Sequence, residues 1–119
     1  MLPKINRIKK EKDFGEVFRN SRSFKNALFI FKVKENSIGV NRFGFVVSNK
    51  VSKKAVVRNK IKRRLSEAVK IRMGNIKIGR DLVFIALPVI GKKEFSEIKE
   101  AVDSALISAN LLNKDNKNV

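Results

Sequence analysis

The chain has 119 residues, of which 28 are Lys or Arg and 11 are Asp or Glu, so its formal net charge is +17. A hydrophobic content of 43% and nine Phe are enough for one folded core, which a disordered basic tail lacks. The absence of His and Cys excludes disulfides, the usual zinc sites and His-assisted nucleophiles. No apolar run reaches the roughly 18 residues of a membrane span, and no signal peptide is evident. We therefore expect a cytoplasmic protein that binds anions.

The positive charge is concentrated in the first two thirds of the chain. Residues 1–80 contain 23 Lys or Arg and 5 Asp or Glu, whereas residues 81–119 contain 5 and 6. The segment 50–64 has eight cations and no acid: Lys50, Lys53, Lys54, Arg58, Lys60, Lys62, Arg63 and Arg64. These cations repel one another in the free protein, and a polyanion relieves that repulsion. The distribution therefore indicates a nucleic-acid partner.

The N-terminal part begins with a basic lead-in over residues 1–9 and continues as a predicted helix over 10–20. Phe14, Val17 and Phe18 follow the i, i+3, i+4 spacing of one helical face. Phe14 and Phe18 have two interpretations. They belong to the core beneath the helix, or they stack on single-stranded bases, for which Phe is the only aromatic side chain available here.

A β region follows, with predicted strands over 28–34 and 43–47 and a shorter one near 22–24. These segments are rich in aromatic and β-branched residues, which favour strands. Side-chain alternation divides the strand over 28–34 into two faces. One face carries Phe29, Phe31 and Val33, and the other carries Ile30, Lys32 and Lys34.

The segment 55–72 predicts a helix that ends near residues 74–75. Its narrow apolar stripe consists of Val57, Ile61, Leu65, Ala68 and Val69. The opposite side carries Asn59, Arg63, Ser66 and Lys70. We expect this helix to lie on a sheet with an almost wholly basic outer surface.

The last third predicts a strand over 81–87, buried on both faces, and a helix over 93–111. A polar tail follows over 112–119. One domain is expected over 1–119, with its core between about 5 and 111. We assign Phe29, Phe31, Phe45 and Phe84 to that core and Phe95 to the buried stripe of the last helix. The order of elements indicates an α+β fold in which the strand over 81–87 runs parallel to an earlier one.

The chemistry available to the chain is limited. The basic two thirds have only five carboxylates, Glu11, Asp13, Glu16, Glu35 and Glu67, so the convergent acids of a metal-dependent nuclease are not expected. We predict no catalytic residue and no metal site.

Two segments resemble the bacterial ribonuclease P protein subunit. One is VVSNKV at 46–51 followed by AVVRNKIKRRL at 55–65, and the other is DFGEVF at 13–18. The resemblance covers residues 5–110 and implies an α-β-β-β-α-β-α domain with a left-handed βαβ crossover, similar to ribosomal protein S5 domain 2. It further implies a subunit that joins a catalytic RNA, which holds Mg²⁺, and removes the 5′ leader of precursor tRNA. The alternatives are a ribosomal or general structured-RNA-binding protein and a self-sufficient nuclease.

The resemblance also implies functional residues. The basic signature stands as Arg58, Asn59, Lys60, Lys62 and Arg63, and with Lys50, Lys53, Lys54 and Arg64 it forms the expected RNA-binding set. Lys60 replaces an Arg and lacks the planar guanidinium fork, and Ser66 stands where some relatives have a basic residue. The expected leader-binding cleft comprises Phe14, Phe18, Ile30, Lys32 and, on the neighbouring strand, Val46.

Overall fold

A computed structural model describes residues 2–113 of the chain. Its helices and strands are α1 (Glu11–Arg19), β1 (Arg22–Lys25), β2 (Phe29–Glu35), β3 (Arg42–Val46), α2 (Ala55–Arg72), β4 (Arg80–Ala86) and α3 (Phe95–Ser108). Short 3₁₀ turns cover Lys4–Asn6, Met73–Asn75 and Pro88–Lys92. The predicted α+β class and the order α-β-β-β-α-β-α are confirmed. Residues 114–119 of the predicted polar tail lie outside the described residues.

The four strands form one mixed sheet in the order β1-β2-β4-β3. The β1–β2 and β2–β4 pairs are antiparallel, and the β3–β4 pair is parallel, as the sequence predicted. Because α2 connects β3 to β4, these three elements make the expected βαβ unit, whose left-handed sense stays a prediction. The segment before α1 extends the sheet edge, since the Ile8 amide donates to the Phe43 carbonyl at 2.9 Å.

One face of the sheet is covered by α2 and α3 and contains the main core. Phe84 lies at its centre, with ring centroids 4.6 Å from Phe31, 5.1 Å from Phe29 and 5.6 Å from Phe45. Phe29, Phe31 and Phe84 are fully buried, and Phe45 is half-buried against them. The alternation predicted for β2 is observed: Phe29, Phe31 and Val33 point into this core.

Three details differ from the sequence-based expectations. Ser66, expected on the outer side of α2, is buried at 3% exposure, because α2 packs against α3 as well as β3 and buries a wider arc than its apolar stripe. Leu2 and Ile8, in the expected lead-in, are buried. The last helix is shorter than predicted at both ends: a capping box between Glu94 and Glu97 begins it at Phe95, and it ends at Ser108.

The other face of the sheet is covered only in part, by α1, which packs against β2 and β4. A small second cluster lies beneath this helix and consists of buried Ile8, Val17 and Val83. Among residues 2–113, side chains on the rest of this face, such as Ile30 and Lys32, stay partly exposed. The fold therefore places a thick helical layer on one side of the sheet and a single short helix beside an open surface on the other.

Candidate nucleic-acid interface

Helix α1 is attached to the sheet by an ion-pair network centred on Arg42 of β3. Its Nη2 and Nε atoms donate to the Asp81 carboxylate at 2.7 and 2.9 Å, and its Nη1 donates to Asp13 of α1 at 3.2 Å. Asp81 is 4% exposed and also accepts a hydrogen bond from Asn36 at 2.8 Å. The hydrogen bonds with Asp81 raise the pKa of Arg42 above its ordinary value. The network thus fixes the start of α1 relative to β3 and β4.

A close packing contact locates the next residue of α1. The Phe14 ring lies directly over Gly44 of β3, where a Cβ atom would come within 2.5 Å of the ring. Phe14 is half-buried and packs on the second cluster together with Val46 and Ile85. Gly44 is therefore the residue that lets the aromatic ring settle on the sheet.

The partly exposed side of the sheet beside this helix is here called the α1 cleft. Its floor includes a row of apolar residues across three strands, because Ile85 of β4 pairs with Ile30 of β2 on one side and Val46 of β3 on the other. All three are half-buried. Phe18 is 45% exposed, with its ring 6.4 Å from that of Phe14. The cleft thus combines exposed aromatic and aliphatic surface.

Two cations of β2 lie on the same face of the sheet. Lys32 is half-buried, and its Nζ donates to Ser23 of β1 at 3.4 Å. Lys34 lies two residues further along β2, close enough to α1 to act on Glu16. Hydrogen bonds from Asn20 and Arg19, with smaller help from Lys34, lower the pKa of Glu16. An RNA strand bound in this cleft would place its bases on the apolar row and its phosphates near these cations.

The basic loop after β3 begins where the apolar row ends, because β3 stops at Val46. Two serine turns shape it: the Ser48 hydroxyl accepts from the Lys50 amide and the Ser52 hydroxyl from the Lys54 amide, both at 3.2 Å. Lys50, Lys53 and Lys54 are all exposed. The loop therefore presents three cations at the end of the cleft.

Helix α2 continues this basic surface. Asn59, Lys60 and Arg63 are exposed, and Lys62 is half-buried. The remaining two arginines of the expected set are partly engaged within the protein. Arg58 donates to the Ser52 carbonyl at 3.0 Å and Arg64 to the Lys93 carbonyl at 2.9 Å.

The structure therefore arranges the expected site residues in two groups. Phe14 and Val46 meet in the second cluster, and Phe18, Ile30 and Lys32 lie on the same side of the sheet. The nine expected RNA-binding residues lie on the loop and on α2. Val46 was expected on the strand next to β2. This expectation is wrong, because β4 is inserted between β2 and β3.

Two residues of this surface were not predicted from the sequence. Ile85 lies in the middle of the cleft floor, but its continuous apolar strand predicted burial on both faces. Arg42 was not singled out, since its partners Asp13 and Asp81 are 29 and 39 residues away in the chain.

Within residues 2–113 there is no group of three or more His, Cys, Asp or Glu side chains able to hold a metal ion. The same residues include no helix long and apolar enough to cross a membrane. Asp13 and Asp81, two carboxylates on this side of the sheet, are both bound by Arg42. The surface is thus suited to binding a polyanion.

Comparison with known proteins connects this surface to one family. The family model described as "Ribonuclease P" matches residues 2–110. The chain belongs to the bacterial ribonuclease P protein component family. A relative from Clostridium acetobutylicum is 37% identical over 118 residues, covering 98% of both chains. Another from Clostridium botulinum is 39% identical over 111 residues, covering 92% of this chain and 99% of the relative.

Solved structures agree with this assignment. The ribonuclease P protein of Staphylococcus aureus matches with a TM-score of 0.84 and 31% identity, over 91% of this chain and 98% of that one. The protein from Thermotoga maritima matches with a TM-score of 0.77 and 29% identity, over 84% and 94%. The protein is thus the protein component of the ribonuclease P holoenzyme, an endoribonuclease of tRNA processing, and not the ribosomal or general RNA-binding protein kept as an alternative.

Proposed function

We propose that the chain binds the ribonuclease P RNA through α2 and the basic loop and holds the 5′ leader of precursor tRNA in the α1 cleft. The observation that carries this proposal is the continuity of the two surfaces at Val46, where the apolar row of the cleft passes directly into the exposed lysines of the loop. A single RNA assembly can therefore contact both. The assembly works in the cytoplasm.

The RNA-binding set of this proposal is Lys50, Lys53, Lys54, Arg58, Asn59, Lys60, Lys62, Arg63 and Arg64. The exposed members neutralise phosphates directly. Arg58 and Arg64 each keep one hydrogen bond within the protein and offer their remaining N–H groups to the RNA. Phe14, Phe18, Ile30, Lys32 and Val46, with Ile85 between them, form the leader site. Exposed rings stack on bases of any sequence, which suits leaders of varied sequence.

The proposal gives the protein no bond-breaking step. Mg²⁺ held by the RNA supplies the cleavage chemistry when bound. The protein adds positive charge to an RNA that must bring many phosphates together, and it adds leader contacts that mature tRNA lacks. It should therefore raise substrate affinity and lower the Mg²⁺ concentration that the RNA requires.

Reconstitution tests this proposal. At a low Mg²⁺ concentration, we expect cleavage of leader-bearing precursor tRNA with ribonuclease P RNA and the chain together, and none with either alone. The variant Lys60→Ala/Arg63→Ala should lose RNA affinity and reduce the salt slope of binding by about 2, that is about 1 per phosphate contact. The control Lys4→Ala/Lys77→Ala removes the same charge from positions outside the loop, α2 and the α1 cleft and should change little. Cleavage by the chain without RNA would contradict the proposal.

A further inference from the structure

A second groove lies between α2 and the first turn of α3, in the helical layer on the opposite side of the sheet from the α1 cleft. We call it the α2–α3 groove. It is lined by Lys60, Arg63, Arg64, Glu67, Ile71 and Phe95. The function proposed above uses its cations but leaves its apolar residues unexplained.

Two of these residues give the groove an apolar surface. Ile71 is 56% exposed. Apart from Val56, the other large apolar side chains of α2 are buried or half-buried. Phe95 is half-buried: it packs against the main core and also lines the groove. Single exposed apolar residues are ordinary on protein surfaces, but two in one concavity bordered by cations indicate a ligand with a flat apolar part.

The charge around the groove selects the chemistry of that ligand. The groove lining includes three cations of α2, Lys60, Arg63 and Arg64, and one carboxylate, Glu67. Arg64 is held in place by its hydrogen bond to the Lys93 carbonyl, two residues before Phe95. A fixed guanidinium beside an aromatic ring makes a platform for planar groups, and the surrounding cations favour phosphates. A nucleotide combines both features.

We infer that the α2–α3 groove binds one unpaired nucleotide of the ribonuclease P RNA. Its base lies against Phe95 and Ile71, and its phosphates lie near Lys60 and Arg63. This inference rests on the proposed function, which assigns α2 to RNA, and adds a base contact to phosphate contacts. The catalytic RNA is the occupant, rather than the substrate, because the leader site is on the other face of the sheet.

The composition of the chain makes this contact measurable. The sequence contains no Trp or Tyr, so Ile71→Trp places one indole in the groove as the only such fluorophore. Ile38→Trp is the matched control: Ile38 is 52% exposed and lies in the β2–β3 loop, outside the groove lining. Each variant is titrated with ribonuclease P RNA and, separately, with precursor tRNA. Binding is followed in parallel by the anisotropy of labelled RNA.

We expect the emission of Ile71→Trp to be quenched and shielded from acrylamide as ribonuclease P RNA binds, while Ile38→Trp changes little and precursor tRNA has little effect on either. As a second measure, Phe95→Leu keeps apolar packing but removes the ring. It should weaken RNA binding about fivefold or more with an unchanged salt slope, because a stacking contact releases no counterions.

Two results would overturn the inference and leave the proposed function standing. One is an Ile71→Trp variant that binds RNA normally without quenching, and the other is a Phe95→Leu variant that binds RNA with full affinity. Quenching by precursor tRNA alone would overturn the choice of occupant. Failure of the unmodified chain to bind ribonuclease P RNA would overturn the proposed function together with the inference.

Discussion

The two faces of the sheet differ in how much apolar surface they bury. Among residues 2–113, the main core contains 22 buried apolar residues, whereas the second cluster beneath α1 contains three. Because hydrophobic stabilisation scales with buried apolar area, the face covered by α2 and α3 provides most of the stability. The α1 face leaves aromatic and aliphatic side chains half-exposed beside a cleft. The apolar packing that stabilises the fold and the proposed leader contacts thus lie largely on opposite faces.

The faces also differ in what fixes their helices. Apolar packing holds α2 and α3 against the main core. The much shorter α1 relies on the Arg42 network and on the fit of Phe14 over Gly44. Polar networks and a glycine contact define position closely without requiring a large core. A binding helix can therefore be placed accurately while its apolar side chains remain accessible.

The largest effect on stability should come from the main-core face. Phe84→Ala removes a fully buried ring that contacts three other Phe rings and should lower the free energy of unfolding by about 3–5 kcal/mol. Urea denaturation measures this. Phe14→Ala, on the opposite face, should cost less than half as much. Equal losses would remove the proposed division between the faces.

The next effect concerns the attachment of α1. Arg42→Met leaves the buried Asp81 with only the Asn36 hydrogen bond and should lower the free energy of unfolding by about 2 kcal/mol, less than for a fully buried pair because Arg42 is partly exposed. The matched control is Arg19→Met, which breaks an exposed pair with Glu16. That control should cause a much smaller loss, because solvent screens an exposed pair. Similar losses in the two variants would show that the network does not hold α1.

A smaller change should separate cleft shape from stability. Gly44→Ala places a Cβ within 2.5 Å of the Phe14 ring and forces the ring to move, at a cost of about 1 kcal/mol in the free energy of unfolding. Affinity for leader-bearing substrate should fall while affinity for ribonuclease P RNA stays unchanged. Gly91→Ala, where the nearest atoms are 3.9 Å away, is the control and should alter neither. An unchanged affinity of Gly44→Ala for leader-bearing substrate would show that the contact between Phe14 and Gly44 does not shape the leader site.

The smallest effect is a dependence on pH that arises between α2 and α3. Burial alone would raise the pKa of Asp103, but hydrogen bonds from Arg72 and Lys99 outweigh it and hold the pKa below its usual value. A depressed carboxyl pKa contributes stability that is present above the unfolded value of about 3.9 and is lost as pH falls through the folded value.

Urea midpoints measured between pH 7 and pH 3 test this dependence. They should decline less steeply with acid in Asp103→Asn than in the unmodified chain. Glu100→Gln, on an exposed part of the same helix, should leave the decline of the urea midpoint at low pH unchanged. The same decline of the urea midpoint at low pH in Asp103→Asn and the unmodified chain would contradict the role of Asp103.

Local pattern was sufficient to predict most of the elements. The alternation in 28–34 located β2 and both of its faces, and the apolar spacing of 55–72 located α2. The parallel pairing of β4 followed from the order of elements. These features depend on residues close together in the chain, where side-chain periodicity carries the information.

The features that were missed depend on long-range arrangement. The insertion of β4 between β2 and β3 brings Ile85 into the cleft floor, and no pattern within β4 distinguishes that position from a core residue. The burial of Ser66 requires knowing that α3 lies beside α2. The residues of the functional surface could be listed from the family resemblance, but their grouping into a cleft and a basic surface required the fold.

The most direct test of the division between the two faces is the leader dependence of substrate binding. The holoenzyme is assembled with the unmodified chain, with Phe14→Ala, or with Phe14→Leu, which keeps apolar packing over Gly44. Dissociation constants are measured for precursor tRNA with a long leader and for mature tRNA. We predict that both variants bind the leader-bearing substrate about fivefold or more weakly, in line with the loss of one stacked base, and bind mature tRNA unchanged. Equal losses for the two RNAs, or none for either, would contradict the account.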